Sequence, residues 1–318
     1  MAELALGRLG YGAAAVGNLY RARDDDEARQ ILDAAWDAGI RYFDTAPHYG
    51  LGLSERRLGA MLADRRRDSF VLSTKVGRLL VPDPDGAARQ DDDLFEVPAD
   101  HRRVWDFSAS GIRRSLEDSL DRLGLDSVDV LYLHDPEASG QDLDRVIDSG
   151  VSALAALRTE GLVRAIGVGT EDAAAIDRAV RSGELDLVML AGRYTLLEAP
   201  ALTNTVPVCG EYGVGIVNAA VFNSGLLATP EPTDDAHYRY GEVPADKLAR
   251  ARELAQTCAQ FGVELPAAAL QYSLRDPVVV SVVVGADTPE QVRQNAARMQ
   301  VPVPDELWQA LEKRGLIP

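Results

Sequence analysis

The sequence predicts an α/β fold, a closed (β/α)8 barrel of the TIM type, and three observations carry that prediction. Eight short apolar runs alternate with longer amphipathic stretches along 318 residues. The runs are rich in Val, Ile, Leu and Tyr, as strands buried on both faces of a parallel sheet should be. The length suits a barrel of roughly 250 residues enlarged by insertions. A doubly wound sheet is the main rival, but it usually needs a polarity break or a separate substrate domain, and no linker divides this chain. One barrel domain over residues 1–318 is expected.

In chain order, the strands are expected at residues 9–14, 41–44, 70–75, 128–134, 165–169, 187–191, 215–219 and 278–284. Helices are expected between them at 25–38, 54–65, 110–123, 143–160, 172–182 and, more weakly patterned, 201–212, with 289–299 after the last strand. In the first helix Ala28, Ile31, Leu32, Ala35 and Trp36 recur at steps of three and four, one face of a helix, and Gly39 supplies the stop. Gly124, Gly161 and Gly183 close later helices in the same way. Two long βα loops interrupt the rhythm: 81–107, with PDPDG, DDD and WDF, and 229–243, rich in Pro, Asp and Tyr. In a barrel both open onto the C-terminal face, where active sites are built.

Composition narrows the function. The chain is 46% hydrophobic, enough for a large core and against wholesale disorder. Its formal charge of −17, from 50 acidic against 33 basic residues, repels phosphate backbones and anionic lipid, so neither nucleic acid nor a membrane is expected as partner. No apolar stretch approaches the length of a membrane span. Cys209 and Cys258 could form one bridge at most, so no disulfide framework is expected. With no signal-like N-terminus, a cytoplasmic protein is expected, either a monomer or a small homo-oligomer.

A barrel sets its reactive side chains at the C-terminal ends of several strands. Here the second strand ends YFDTAPHYG, giving Asp44, His48 and Tyr49; the third ends VLSTKVG, giving Lys75; the fourth ends VLYLHDPE, giving His134 and Asp135. Taken singly, Asp44 and Lys75 read as a structural ion pair and His134 as a satisfied core imidazole; a shared barrel mouth is what joins them. A buried lysine must be paired, and Asp44 on the adjacent strand can pair with it. A lysine cation beside a phenol lowers the Tyr49 pKa from about 10 toward working pH. Such a tyrosine can exchange a proton with a substrate oxygen that His134 holds, while hydride moves elsewhere. No metal is expected, for want of a His-x-His strand motif or a carboxylate-rich ligand set.

The segments DTAPHYGLGLSE, STKVG and LHDPE, at three consecutive strand ends, resemble the aldo-keto reductase superfamily in the order and spacing of an Asp, Tyr, Lys and His tetrad. WDFSASGIRRSLEDSLDRLGLDSVDVLYLHDPE, AGRYTLLE and FNSGLL are most similar to its aldose 1-dehydrogenase branch, with L-fucose or D-threo-aldose dehydrogenases and pyridoxal 4-dehydrogenases. The resemblance implies an NAD(P)-dependent oxidoreductase that oxidises a small-molecule sugar at C1 to the lactone. It also implies Tyr49 as acid/base, Lys75 and Asp44 tuning it, and His134 orienting the substrate oxygen. A pyridoxal dehydrogenase and a general NADPH aldehyde reductase are the alternatives. A non-catalytic, NAD(P)H-binding regulatory barrel is the reading from another class.

Hydride transfer requires a nicotinamide. Gly10, Gly12 and Gly17 have the wrong spacing for a dinucleotide fingerprint and are read as close backbone packing. Phosphates are expected instead at the last two βα loops. There Asn223, Ser224, Gly225 and Leu226 can present backbone N–H groups, Gly285 supplies a turn, and Thr288 with Pro289 opens a helix. The resemblance implies that Gln291 and Asn295 lie near adenine. At Asp287, where relatives that bind a 2′-phosphate commonly carry Arg or Lys, a carboxylate favours NAD, with NADP left possible by Arg293 and Arg298. Asp44 belongs to the expected cofactor set too, and Arg193 is its candidate donor where the family's usual carboxamide contacts are missing, or else a residue that reaches substrate. Tyr20, His48 and Trp105 are the expected substrate contacts.

Overall fold

The computed structural model describes residues 4–239 and 241–318. Among them eight parallel strands close into a barrel: β1 (Leu9–Gly12), β2 (Tyr42–Asp44), β3 (Val71–Val76), β4 (Val130–His134), β5 (Ala165–Thr170), β6 (Leu187–Ala191), β7 (Gly215–Ala219) and β8 (Val279–Val284). Each pairs with its neighbours in sequence, and β1 closes the ring on β8. The expected strands are all present, with ends moved by no more than two residues.

Side-chain alternation decides what faces inward. Tyr42, Val71, Val130, Tyr132, Ala165, Leu187, Met189, Val217 and Val283 pack into the barrel interior, with Leu6 beside them. Gly167 on β5 makes room for Tyr132: a Cβ there would stand 2.9 Å from the Tyr132 ring and 2.2 Å from the Leu187 carbonyl oxygen. The same alternation points Asp44, Lys75 and His134 into the mouth, two residues beyond Tyr42, Ser73 and Tyr132. On the outer face of β3, Thr74 donates to Glu55 Oε1 at 2.7 Å, and Arg122 donates to Glu55 Oε2 at 2.6 Å. This buried carboxylate ties three elements together behind the lysine.

The helices are α1 (Asp25–Asp37), α2 (Leu53–Leu62), α3 (Ala109–Leu123), α4 (Leu143–Thr159), α5 (Ala173–Val180), α6 (Thr205–Tyr212), α7 (Ala245–Gln260), α8 (Leu265–Gln271), α9 (Pro289–Met299) and α10 (Asp305–Lys313). Side chains of Asp24, Ser108, Asp142, Asp172 and Thr288 cap α1, α3, α4, α5 and α9. α7, α8 and α10 add to the expected set. In α8 every residue from Leu265 to Leu270 is buried, so no polar face betrays the helix in sequence. Among the described residues no helix is long and apolar enough to cross a membrane.

The two long connections are more ordered than loops. In the first, an antiparallel hairpin joins Arg78–Pro82 to His101–Trp105. Its far end folds back over the β1 loop, where Leu19 bridges Phe95 and Asn18 exchanges hydrogen bonds with Glu96. The second contains a two-stranded ribbon of His237–Tyr238 and Gly241–Glu242; Tyr240 lies outside the described residues. The N-terminal glycines serve close packing. A Cβ on Gly17 would stand 2.8 Å from the Tyr49 carbonyl carbon and oxygen, and one on Gly10 would stand 2.7 Å from the Tyr42 ring.

Candidate active site

The mouth is assembled from the ends of β2, β3 and β4. Lys75 Nζ donates to Asp44 Oδ2 at 2.6 Å, to the Thr45 carbonyl oxygen at 3.0 Å and to Tyr49 Oη at 3.0 Å. Ser73 donates to the other Asp44 oxygen at 2.6 Å. Beneath lies a ladder of buried hydroxyls, with Tyr42 Oη 3.1 Å from Ser73 Oγ and 3.3 Å from Tyr132 Oη. Asp44 and Lys75 side chains are only 3% and 2% exposed, so their geometry is fixed by packing. The His134 ring stands perpendicular to Tyr49, centroids 6.0 Å apart. The four expected residues thus meet at one point.

Electrostatics set their protonation. Burial works against the Lys75 charge, but Asp44 and Tyr49 outweigh it and hold the ammonium above its usual pKa. Burial and then the cations Arg78 and Lys75 push His134 far below the ordinary imidazole range, so it is neutral. Burial first, and then Arg78 and Arg103, lower His48 to about 2. Tyr49 departs from expectation. Burial pushes its phenol above 10, and the lowering by Lys75 does not fully offset this. The lysine therefore limits the rise rather than bringing the resting phenol to neutral pH.

The surroundings include groups the strand-end pattern did not expose. Arg78, just past the glycine that follows β3, donates to His48 Nδ1 at 3.2 Å and to Asp135. Its guanidinium lies over the Trp105 ring, 4.4 Å from the centroid. Phe95 stands against His48 and Tyr49, with centroids 5.3 and 6.0 Å away. His48 is thus at the mouth, whereas Trp105 is one step back, supporting Arg78 and stacked on Phe107. Tyr20 is 53% exposed and its N–H bonds to Leu94. A hydrophobic residue inside an acidic loop, and an arginine beyond a strand-ending glycine, are the signals that could have found Phe95 and Arg78.

At the last two βα loops the structure departs from the expected cradle of N–H groups but leaves an orphaned buried acceptor beside an open glycine. The turn after β7 carries Ala220, Asn223, Ser224 and Gly225 at φ of 54°, 49°, 58° and 98°. The N–H groups of Asn223, Gly225 and Leu226 bond to carbonyls of Ala220, Phe222 and Asn223. Expecting these three to face a pyrophosphate is corrected: the turn uses them internally, and Leu226 is buried. What remains is Asn223 Oδ1, buried without a partner, beside Gly225, which faces open space. After β8, Gly285 leads to α9, where Thr288 caps the Gln291 N–H. Gln291 Oε1 in turn accepts from the Asp287 N–H at 2.6 Å, and Asn295 is buried one turn on. Asp287 is paired with Arg23, a cation 1% exposed that also bonds the Ala15 carbonyl. Arg193, expected as a donor to the carboxamide or as a contact to substrate, binds the Glu171 carbonyl at 2.8 Å and clamps two loops.

Comparison with known proteins agrees with this geometry. Residues 8–314 match the aldo/keto reductase family. A D-threo-aldose 1-dehydrogenase from Pseudomonas sp. is 54% identical, over 100% of this chain and 96% of its own length. A pyridoxal 4-dehydrogenase from Microbacterium luteolum is 37% identical, over 97% and 94%. The holo form of an aldo-keto reductase from Bacillus halodurans superposes with a TM-score of 0.77 at 27% identity, covering 98% of this chain and 92% of that one. With its closed eight-stranded barrel and a lysine-held tyrosine in the mouth, this chain belongs to the aldo/keto reductase family and is a nicotinamide-dependent oxidoreductase acting on small molecules.

Proposed function

We propose that the enzyme oxidises an aldose at C1, converting the hemiacetal carbon to a lactone carbonyl, with NAD preferred over NADP. The observation that carries this reading is the Asp44–Lys75–Tyr49 chain of contacts at 2.6 and 3.0 Å. The relative named for aldose 1-oxidation supports the substrate class. Oxidation removes a proton from oxygen and a hydride from carbon. Tyr49 Oη, as phenolate, takes the proton. Lys75 stabilises that phenolate, and Asp44 keeps the lysine charged although it is buried. Neutral His134 holds the substrate oxygen without taking up its proton. When bound, the nicotinamide supplies the electron-deficient carbon that accepts the hydride. Asn223, Gly225, Thr288, Gln291 and Asn295 are proposed to hold its dinucleotide. Asp287, still 53% exposed although paired, favours a free ribose hydroxyl over a phosphate dianion.

Replacing Tyr49 by Phe tests the assignment. Turnover should fall by about 10³-fold, while NADH affinity read by fluorescence titration stays within about twofold. Turnover within tenfold of the wild type would sink the role of the phenol. Oxidation of pyridoxal is a second reading, favoured by the 37% identical relative. Initial rates with L-fucose, pyridoxal and a simple aldehyde, each with NAD and NADP, separate the two.

A further inference from the structure

Next to the reacting groups stands an ion pair that the proton-transfer chemistry does not use. Asp135 follows His134 directly and adopts φ 40°, a left-handed conformation uncommon for any residue but glycine. Its N–H is held by the Gly169 carbonyl at 3.0 Å. That backbone turns its carboxylate toward the mouth, with Oδ2 bound by Arg78 and 3.4 Å from His134 Nε2. Arg78 is wedged between His48 and the Trp105 face, with its side chain 11% exposed and its buried Nε–H lacking a partner. Asp135 keeps 28% of its side chain accessible. A buried ion pair adds little to stability compared with well-packed apolar groups, so its presence here calls for another role.

We propose that Arg78 and Asp135 form the subsite for the hydroxyl on the carbon next to the reacting one. The assignment rests on the aldose reading above. With the C1 oxygen against Tyr49 and His134, a vicinal hydroxyl falls one hydrogen-bond length away, at the carboxylate that already approaches the His134 ring. Such a hydroxyl both donates and accepts. Asp135 accepts its proton and the Arg78 guanidinium donates to its oxygen, a match that an aldehyde or 2-deoxy sugar lacks. Discrimination for 2-hydroxy aldoses follows, because without that hydroxyl the two charges lose a partner.

D-arabinose and 2-deoxy-D-ribose, which differ only by the C2 hydroxyl, provide the test. The wild type should favour D-arabinose by about 30-fold or more in kcat/KM. In Asp135→Asn and Arg78→Lys that ratio should fall by about tenfold. NADH titration of both variants checks that they fold, and either variant suffices for the ratio. If both sugars slow by the same factor and the ratio holds, the pair only supports His134 and the subsite is refuted. If the wild type oxidises neither D-arabinose nor L-fucose, the aldose reading itself fails and the subsite falls with it.

Discussion

Tyr49 shows how a single residue is governed by opposing effects. Burial raises its phenol pKa, Lys75 lowers it, and burial wins in the structure. In the proposed mechanism deprotonation of Tyr49 limits oxidation, and kcat/KM in that direction should climb about tenfold per pH unit between about pH 7 and 9. Lys75, held above its usual pKa, stays charged throughout that window. His134 and His48 are held neutral, their pKa values displaced downward, so no inflection near pH 6.5 is expected. A pH–rate profile that bends near 6.5, with the bend abolished by His134→Gln, would contradict this assignment. Asp44, Lys75 and His134 were readable because each stands at or next to the end of an apolar run, and Tyr49 because it follows in the connection after Asp44. Arg78 and Phe95 were not, since their importance comes from a hairpin that folds back to meet His48.

At the scale of elements, the mouth depends on contacts between connections. Arg23, in the loop after β1, is buried against Asp287, in the loop after β8. Tyr11 on β1 donates to the Ala286 carbonyl at 3.1 Å, joining the same two segments. In the proposed cofactor site Asp287 bears on cofactor choice in two ways, by presenting a carboxylate and by occupying Arg23. Replacing Asp287 with Ala should release the guanidinium to meet a 2′-phosphate and raise the NADP/NAD ratio of kcat/KM by about tenfold. An unchanged ratio in steady-state kinetics would show that the ribose does not lie here. The sequence placed a carboxylate at this position but not its partner, which is 264 residues away along the chain.

For the whole molecule, the net charge of −17 opposes the approach of any anionic dinucleotide. Raising salt from about 0.01 to about 0.1 M should speed NADH association about two- to threefold, because the Debye length shrinks below the size of the protein. A rate that falls with salt in stopped-flow measurements would mean that local cations such as Arg23 dominate the field. Alternation of buried runs with amphipathic stretches determined the barrel, since parallel strands covered by helices must be apolar on both faces. The polar ends of successive apolar runs also determined that Asp44, Lys75 and His134 share the mouth, because a barrel gathers the C-terminal ends of its strands on one face. Only the tertiary structure decided the hairpin after β3, the all-apolar helix α8, the self-bonded turn at Asn223 and the pairings of Arg78, Arg23 and Arg193. Those features arise from contacts between distant segments, and local periodicity carries no record of which loop will fold against which.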